Sequence, residues 1–207
     1  MARSRREVAR FLTALAQNQS SYFTVKQSKS AGYNDPHLNY HLAAGNIERV
    51  GHGLYRFTNI PQGEDADWVR LALWSRNRRD EPQAVVSHES ALVLHGLSEL
   101  LPNRIHLTVP PGFRKAPPRG CVLHKTELAA GDVEDRGGFR VTTPMRTLLD
   151  ASVGGVSQEQ LGKAIASALA RGLVRRTELM RVVKEGPRFE RLGAAMKARK
   201  RESGRPT

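Results

Sequence analysis

The chain has 207 residues, room for one sizeable domain or two small ones, and 33 Lys+Arg against 20 Asp+Glu give it a formal net charge of +13. A hydrophobic fraction of 39% marks a folded protein, and the excess of positive charge calls for a polyanionic partner, of which nucleic acid is the commonest. The single cysteine, Cys121, excludes an intramolecular disulfide and a multi-cysteine zinc site, and no run approaches the roughly 20 apolar residues of a membrane span, so a cytoplasmic protein away from membranes is expected.

In RREVARFLTALA, Val8, Phe11, Leu12 and Leu15 recur at helical spacing, leaving Arg5, Arg6, Arg10 and Thr13 on the opposite face. This predicts an amphipathic first helix; Arg10 interrupts its apolar stretch, which is too short for a secretory signal. After the polar break 18–21, Tyr22-Phe23-Thr24 reads as a short strand, and Thr24 caps a helix VKQSKSA that ends at Gly32. Beyond the turn GYND, Asp35 as capping residue and Pro36 as first helical residue open a third helix, HLNYHLAAG. Leu38 and Leu42, four apart, should face the core, turning His37, Asn39 and His41 to other faces; Tyr40 fits either side. Two strand-like runs, 46–50 and 54–57, joined by Gly51-His52-Gly53, predict a hairpin with a basic tip.

Helix, short strand, helix, turn, helix and hairpin is the order of a winged helix-turn-helix, here over residues 1–60. A helix of about ten residues fits the major groove, while backbone amides and basic side chains beside it hold phosphates. The candidate DNA-binding residues are Asn34, His37, Asn39, Tyr40 and His41 on and just before the third helix. Lys26 and Lys29 flank them from the second helix, and Arg49, His52 and Arg56 from the hairpin. Asn39 is suited to pair bidentately with adenine, or else is an exposed polar residue without a role.

A second, mixed α/β domain with a small sheet and C-terminal helices is expected over 64–200, making the whole chain α+β. WVRLALWSRNRR, with Trp68, Leu71, Ala72, Leu73 and Trp74 in helical phase, reads as ordinary core. Ala84-Val85-Val86 is a short strand, and Ser87 caps HESALVLHGL. Residues 104–109 alternate as a half-buried strand does; Cys121–His124 and Phe139–Thr142 read as two more strands, separated by an acidic loop. Thr143-Pro144 starts MRTLLDAS, and Ser157 with Gln160 forms a capping-box pattern before QLGKAIASALARG, whose Leu161, Ile165 and Leu169 share a face. A short helix from Thr177 and a last one near 189–200 follow. The basic tail, 197–207, is too charged to build a core and is expected to be disordered, as a nucleic-acid contact or a solvated helix end.

Charge is distributed unevenly. Residues 1–60 carry 8 Lys+Arg against 3 Asp+Glu, residues 61–150 carry 12 against 12, and residues 151–207 carry 13 against 5. A neutral middle between basic ends of +5 and +8 points to two separate electrostatic surfaces. Catalysis finds little support. His88, His95, His106 and His124 show neither HExxH nor paired Cys/His spacing, and Asp132, Glu134 and Asp135 crowd one loop without a following lysine. No phosphate-cradling GxxxxGK[ST] is present, so no cofactor or metal is expected and the chain reads as a non-enzyme.

LAAGNIERVGHGLYRF, together with SHESALVLHGLSELLPNRIHLTVP and VTTPMRTLLD, resembles the AbiEi family of antitoxins and transcriptional regulators of type IV toxin-antitoxin systems, over roughly residues 7–150. The resemblance implies an N-terminal winged helix that binds double-stranded operator DNA of its own operon. It implies further that the C-terminal region acts as an antitoxin against a nucleotidyltransferase-like toxin.

Overall fold

The computed structural model describes residues 5–99, 102–186 and 189–202. The chain divides into two compact units, Met1–Ala84 with Asp135–Phe139, and Val85–Glu134 with Arg140–Thr207. The first unit therefore runs to Ala84 instead of closing near residue 60. No helix among the described residues is long and apolar enough to cross a membrane.

The first unit is a winged helix-turn-helix with one helix added: α1 (Arg5–Gln17), β1 (Tyr22–Thr24), α2 (Val25–Ala31), α3 (Asp35–Ala43), β2 (Ile47–Gly51), β3 (Leu54–Phe57) and α4 (Ala66–Trp74). The strands form one antiparallel sheet in the order β1-β3-β2, with Phe23 opposite Tyr55 and Ile47 opposite Phe57. Its core is Leu12, Ala16, Phe23, Ala31, Leu38 and Ile47. Phe23 is central, its ring 5.8 Å from Tyr55 and 5.0 Å from Phe57. On α1, Leu12 and Ala16 are fully buried while Phe11, expected inside, is 44% exposed. Gly32 ends α2 at φ +111°, with Val8 Cγ2 3.0 Å from where a Cβ would stand, so a side chain there would strain the backbone and push Val8 aside.

Two helix boundaries differ from expectation. Asn34, not Asp35, caps α3, because Asn34 has the extended backbone of a cap (φ −100°, ψ 172°) and its Oδ1 accepts the His37 N–H at 3.0 Å. Pro36 fits equally well one position later, since the first four N–H groups of a helix lack intrahelical partners. Helix α4 begins at Ala66 and stops at Trp74, so the basic run 76–79 is a loop and not a continuation of the helix.

The second unit is a five-stranded mixed sheet covered by helices. Its elements are β4 (Val85–Val86), α5 (His88–Leu94), β5 (Ile105–Val109), β6 (Cys121–Lys125), β7 (Val133–Asp135), β8 (Arg140–Thr142), α6 (Pro144–Val153), α7 (Gln158–Ala170), α8 (Arg176–Glu185) and α9 (Glu190–Glu202). The order is β6-β5-β4-β8-β7, with β4 antiparallel to β5 and parallel to β8, and β5 parallel to β6. The segment 129–138, read as one loop, instead holds a 3-10 turn (Ala130–Asp132) and strand β7.

Thr143 caps α6 through the Arg146 N–H, and Pro144 is its first residue. Ser157 caps α7 through the Gln160 N–H at 3.2 Å. Leu161 and Ile165 are buried on α7 as expected, and Ala164 and Ala168 complete the face that packs with Leu148, Val174, Leu179 and Leu192. Gly193 on α9 lies so near α8 that a Cβ there would stand 2.9 Å from Val183 Cγ1. Helix α9 runs to Glu202, into the segment expected to be a loose tail; residues 203–207 lie outside the described residues. Leu161 has no exposure, so Leu161→Ala is expected to cost about 2–5 kcal/mol of stability, read as a lower urea midpoint. An unchanged midpoint would mean that α7 is not held by this face.

Candidate nucleic-acid interface

Helix α3 is anchored from below and open above. Leu38 is 3% exposed, whereas Asn39 is exposed and Tyr40, two positions on from the anchor, is 68% exposed. His37 and His41, one turn apart, are half-buried against Tyr33, with ring centroids at 6.1 and 5.6 Å. Burial raises the pKa of the Tyr33 hydroxyl. The Asn46 amide lies 3.2 Å from His41 Nδ1; when it donates there, the neutral imidazole carries its proton on Nε2. The helix thus offers Asn39 and Tyr40 outward, with His37 and His41 at the margin of that face.

The flanking residues divide by their partners. Glu48 lies directly opposite Arg56 in the β2–β3 register and holds its guanidinium at 2.6 Å. Lys29 pairs with Asp35 at 3.1 Å, an exposed contact of the kind worth at most about 1 kcal/mol and easily exchanged for a phosphate. Asn34 is engaged as the cap of α3. Lys26 Nζ donates to the Arg78 carbonyl at 2.7 Å. In the wing, Arg49 is exposed and its Nε donates to the Gly51 carbonyl at 3.3 Å, while His52 stands exposed at the turn. The freest outward groups are therefore Asn39, Tyr40, Arg49 and His52.

In the second unit three of the four histidines converge, which their separation in sequence did not indicate. The rings of His88 and His124 stack at 3.5 Å and 15°, and His106 Nδ1 lies 3.0 Å from His124 Nε2. In the parallel β5–β6 register His106 faces Val122 and His124 faces Thr108, which sets the two histidines diagonally on one face of the sheet. Glu89 Oε2 stands 3.1 Å from His106 Nδ1, and Ser87 Oγ 3.0 Å from His88 Nδ1. His88 has a left-handed backbone, φ +52°. Burial first, then His124, His106 and Arg146, push its pKa down to about 3. Burial and His106 lower that of His124, against an opposing pull from Glu89. His95 lies apart, its Nε2 at 2.7 Å from the Thr142 carbonyl. Among the described residues no group of three or more His, Cys, Asp or Glu is arranged to hold a metal ion.

Two sequence-family models match the chain. One described as "Transcriptional regulator, AbiEi antitoxin" covers residues 10–58, and one described as "AbiEi antitoxin C-terminal domain" covers residues 84–195. Among solved structures, that titled "Crystal structure of RV2827C protein from Mycobacterium tuberculosis" is similar with a TM-score of 0.61 and 17% identity, over 95% of this chain and 78% of that one. At that identity the likeness is one of fold. No curated protein matches the chain.

The histidine cluster makes the second unit sensitive to acid. With the folded His88 pKa near 3 against an ordinary 6.5, the unfolded chain binds the proton first as pH falls. Its stabilising contribution is complete above pH 6.5, declines below it, and is gone once pH has fallen through about 3. Stability should fall as pH drops below 6.5, the slope steepening toward that of one proton taken up by the unfolded chain and not by the folded one. His88→Asn, which tolerates the left-handed backbone, should flatten that slope in urea melts; an equally steep slope in the variant would discount the cluster.

Proposed function

We propose, since the chain belongs to the AbiEi family of antitoxins and transcriptional regulators, that it represses its own operon and is the antitoxin of a type IV pair. The winged helix-turn-helix binds double-stranded operator DNA, with α3 in the major groove and the β2–β3 wing on the flanking backbone. The second unit opposes a nucleotidyltransferase-like toxin in the cytoplasm, and neither role calls for catalysis or a cofactor.

The observation that carries the DNA-binding reading is the outward face of α3. Tyr40 at 68% exposure and Asn39 beside it project from a helix whose inner side is fixed by Leu38, next to a wing bearing Arg49 and His52. An exposed amide can pair with a base edge, and an exposed aromatic can meet a thymine methyl or the sugar edge. Asn34, Lys29 and Arg56 belong to the same surface as the groups that shape and screen it.

The test is binding of the full chain to its own upstream promoter fragment against a scrambled duplex at near-physiological salt. Asn39→Ala with Tyr40→Ala should cost about 1–3 kcal/mol per lost base contact on the promoter fragment, and little on the scrambled duplex. Equal affinity of the wild type for both duplexes would remove the operator-reading role. Co-expression with a nucleotidyltransferase-like toxin of the same operon should restore growth; failure to do so would remove the antitoxin role.

A further inference from the structure

The interval between residues 58 and 84, which neither family model covers, contains the basic run Arg76-Asn77-Arg78-Arg79. This loop has a fixed shape. Ser75 Oγ donates to the Ala72 carbonyl at 2.7 Å and accepts the N–H groups of Gln83 and Ala84 at 2.9 Å each, which closes the loop at its base. Asn77 Oδ1 accepts the N–H groups of Arg79 at 2.8 Å and Glu81 at 3.0 Å, and Arg76 pairs with Asp80 at 2.8 Å.

The crest of the loop is tied to the winged helix. Lys26, in the first turn of α2, donates to the Arg78 carbonyl at 2.7 Å, across 52 residues of sequence. The residue before it, Val25, donates its N–H to the carbonyl of Gly53 at the wing turn, at 2.9 Å. His52 of the wing, Lys26 of α2 and the Arg78-Arg79 crest therefore lie along one edge of the first unit. Arg78 and Arg79 are both exposed, and neither pairs with a carboxylate among the described residues.

We propose that Arg78 and Arg79 clamp the phosphodiester backbone of the duplex whose bases α3 reads. The inference rests on the DNA-binding reading above. The occupant follows from charge: with Lys26 they make a cationic edge continuous with the wing, and a duplex carries a regular row of phosphates at this scale. Contacts to phosphates fix position and add affinity without sequence information.

Arg78→Ala with Arg79→Ala leaves the loop's own bonds in place, because these use the Arg78 carbonyl and the Arg79 N–H and not the guanidiniums. Binding of the full-length variant to the promoter fragment and to the scrambled duplex is measured from low to near-physiological salt, with equal thermal midpoints as the check on folding. Affinity should fall by the same factor on both duplexes, about tenfold, and the log–log salt slope should become shallower by about 2. The doubly lysine-substituted protein, R78K with R79K, should recover most of both.

Unchanged affinity and slope in the alanine variant, while the wild type binds, overturns the clamp and leaves the DNA-binding reading standing. Loss of selectivity at an unchanged slope overturns it too, since that is the behaviour of base contacts. A wild type that binds neither duplex removes both readings together.

Discussion

Four consecutive residues, Thr24 to Gln27, join the end of α1, the wing and the loop after α4. Thr24 Oγ1 accepts the Gln27 N–H at 3.1 Å and Gln27 Oε1 accepts the Thr24 N–H at 2.8 Å, so β1 passes into α2 through a closed capping box. The side-chain amides of Gln27 and Gln19, the latter just beyond α1, also exchange hydrogen bonds, Gln19 Nε2 donating to Gln27 Oε1 at 3.2 Å and Gln27 Nε2 to Gln19 Oε1 at 2.8 Å. Val25 holds the wing through Gly53, and Lys26 holds the loop after α4 through Arg78. The end of α1, the wing and the loop are thus each one hydrogen bond or one amide pair away from α2. Since α2 leads through the tight Gly32 turn into the cap of α3, the pose of the outward helix face depends on this junction.

The parts of the fold that were legible in the sequence are those specified by neighbours. Thr24, Gly32, Thr143 and Ser157 end or begin helices through bonds reaching no more than four residues, and their residue types announce that role. Asn34 and Asp35 show the limit, since both side chains can cap and only the backbone angles decide between them. The end of α4 was not legible, because Arg76, Arg78 and Arg79 favour helix and what closes the loop is Ser75 meeting residues eight and nine positions later. The convergence of His88, His106 and His124 depends on strand register, as does the pairing of Glu48 with Arg56. On the candidate surface itself, sequence located α3 and the wing, but not which of its polar groups already had partners.

A net charge of +13 overstates what either unit presents to a polyanion. In the second unit Arg171 donates to the carbonyls of His95 and Gly96 at the end of α5, and Arg191 to those of Ser152, Gly154 and Val156 around the end of α6. These guanidiniums satisfy carbonyls that helix ends leave without partners, and a cation suits that end of the helix dipole. Arg146 bridges Asp132 and Asp150, joining the 3-10 turn before β7 to α6. Part of the basic character of residues 151–207 is therefore internal architecture.

Strand β4 is the first element of the second unit in the chain and the middle strand of its sheet, with only Val85 and Val86 to bridge β5 and β8. On a ribosome this order has a consequence. The sheet cannot be completed across its centre until Arg140–Thr142 have been synthesised, and Val85 and Val86 must wait with one side unpaired. The first unit waits as well, because Phe139, which stacks on Trp68 at 6.3 Å, arrives only then. Residues 135–142 thus act late in synthesis on both units, and a chain released before them would leave each unit incomplete.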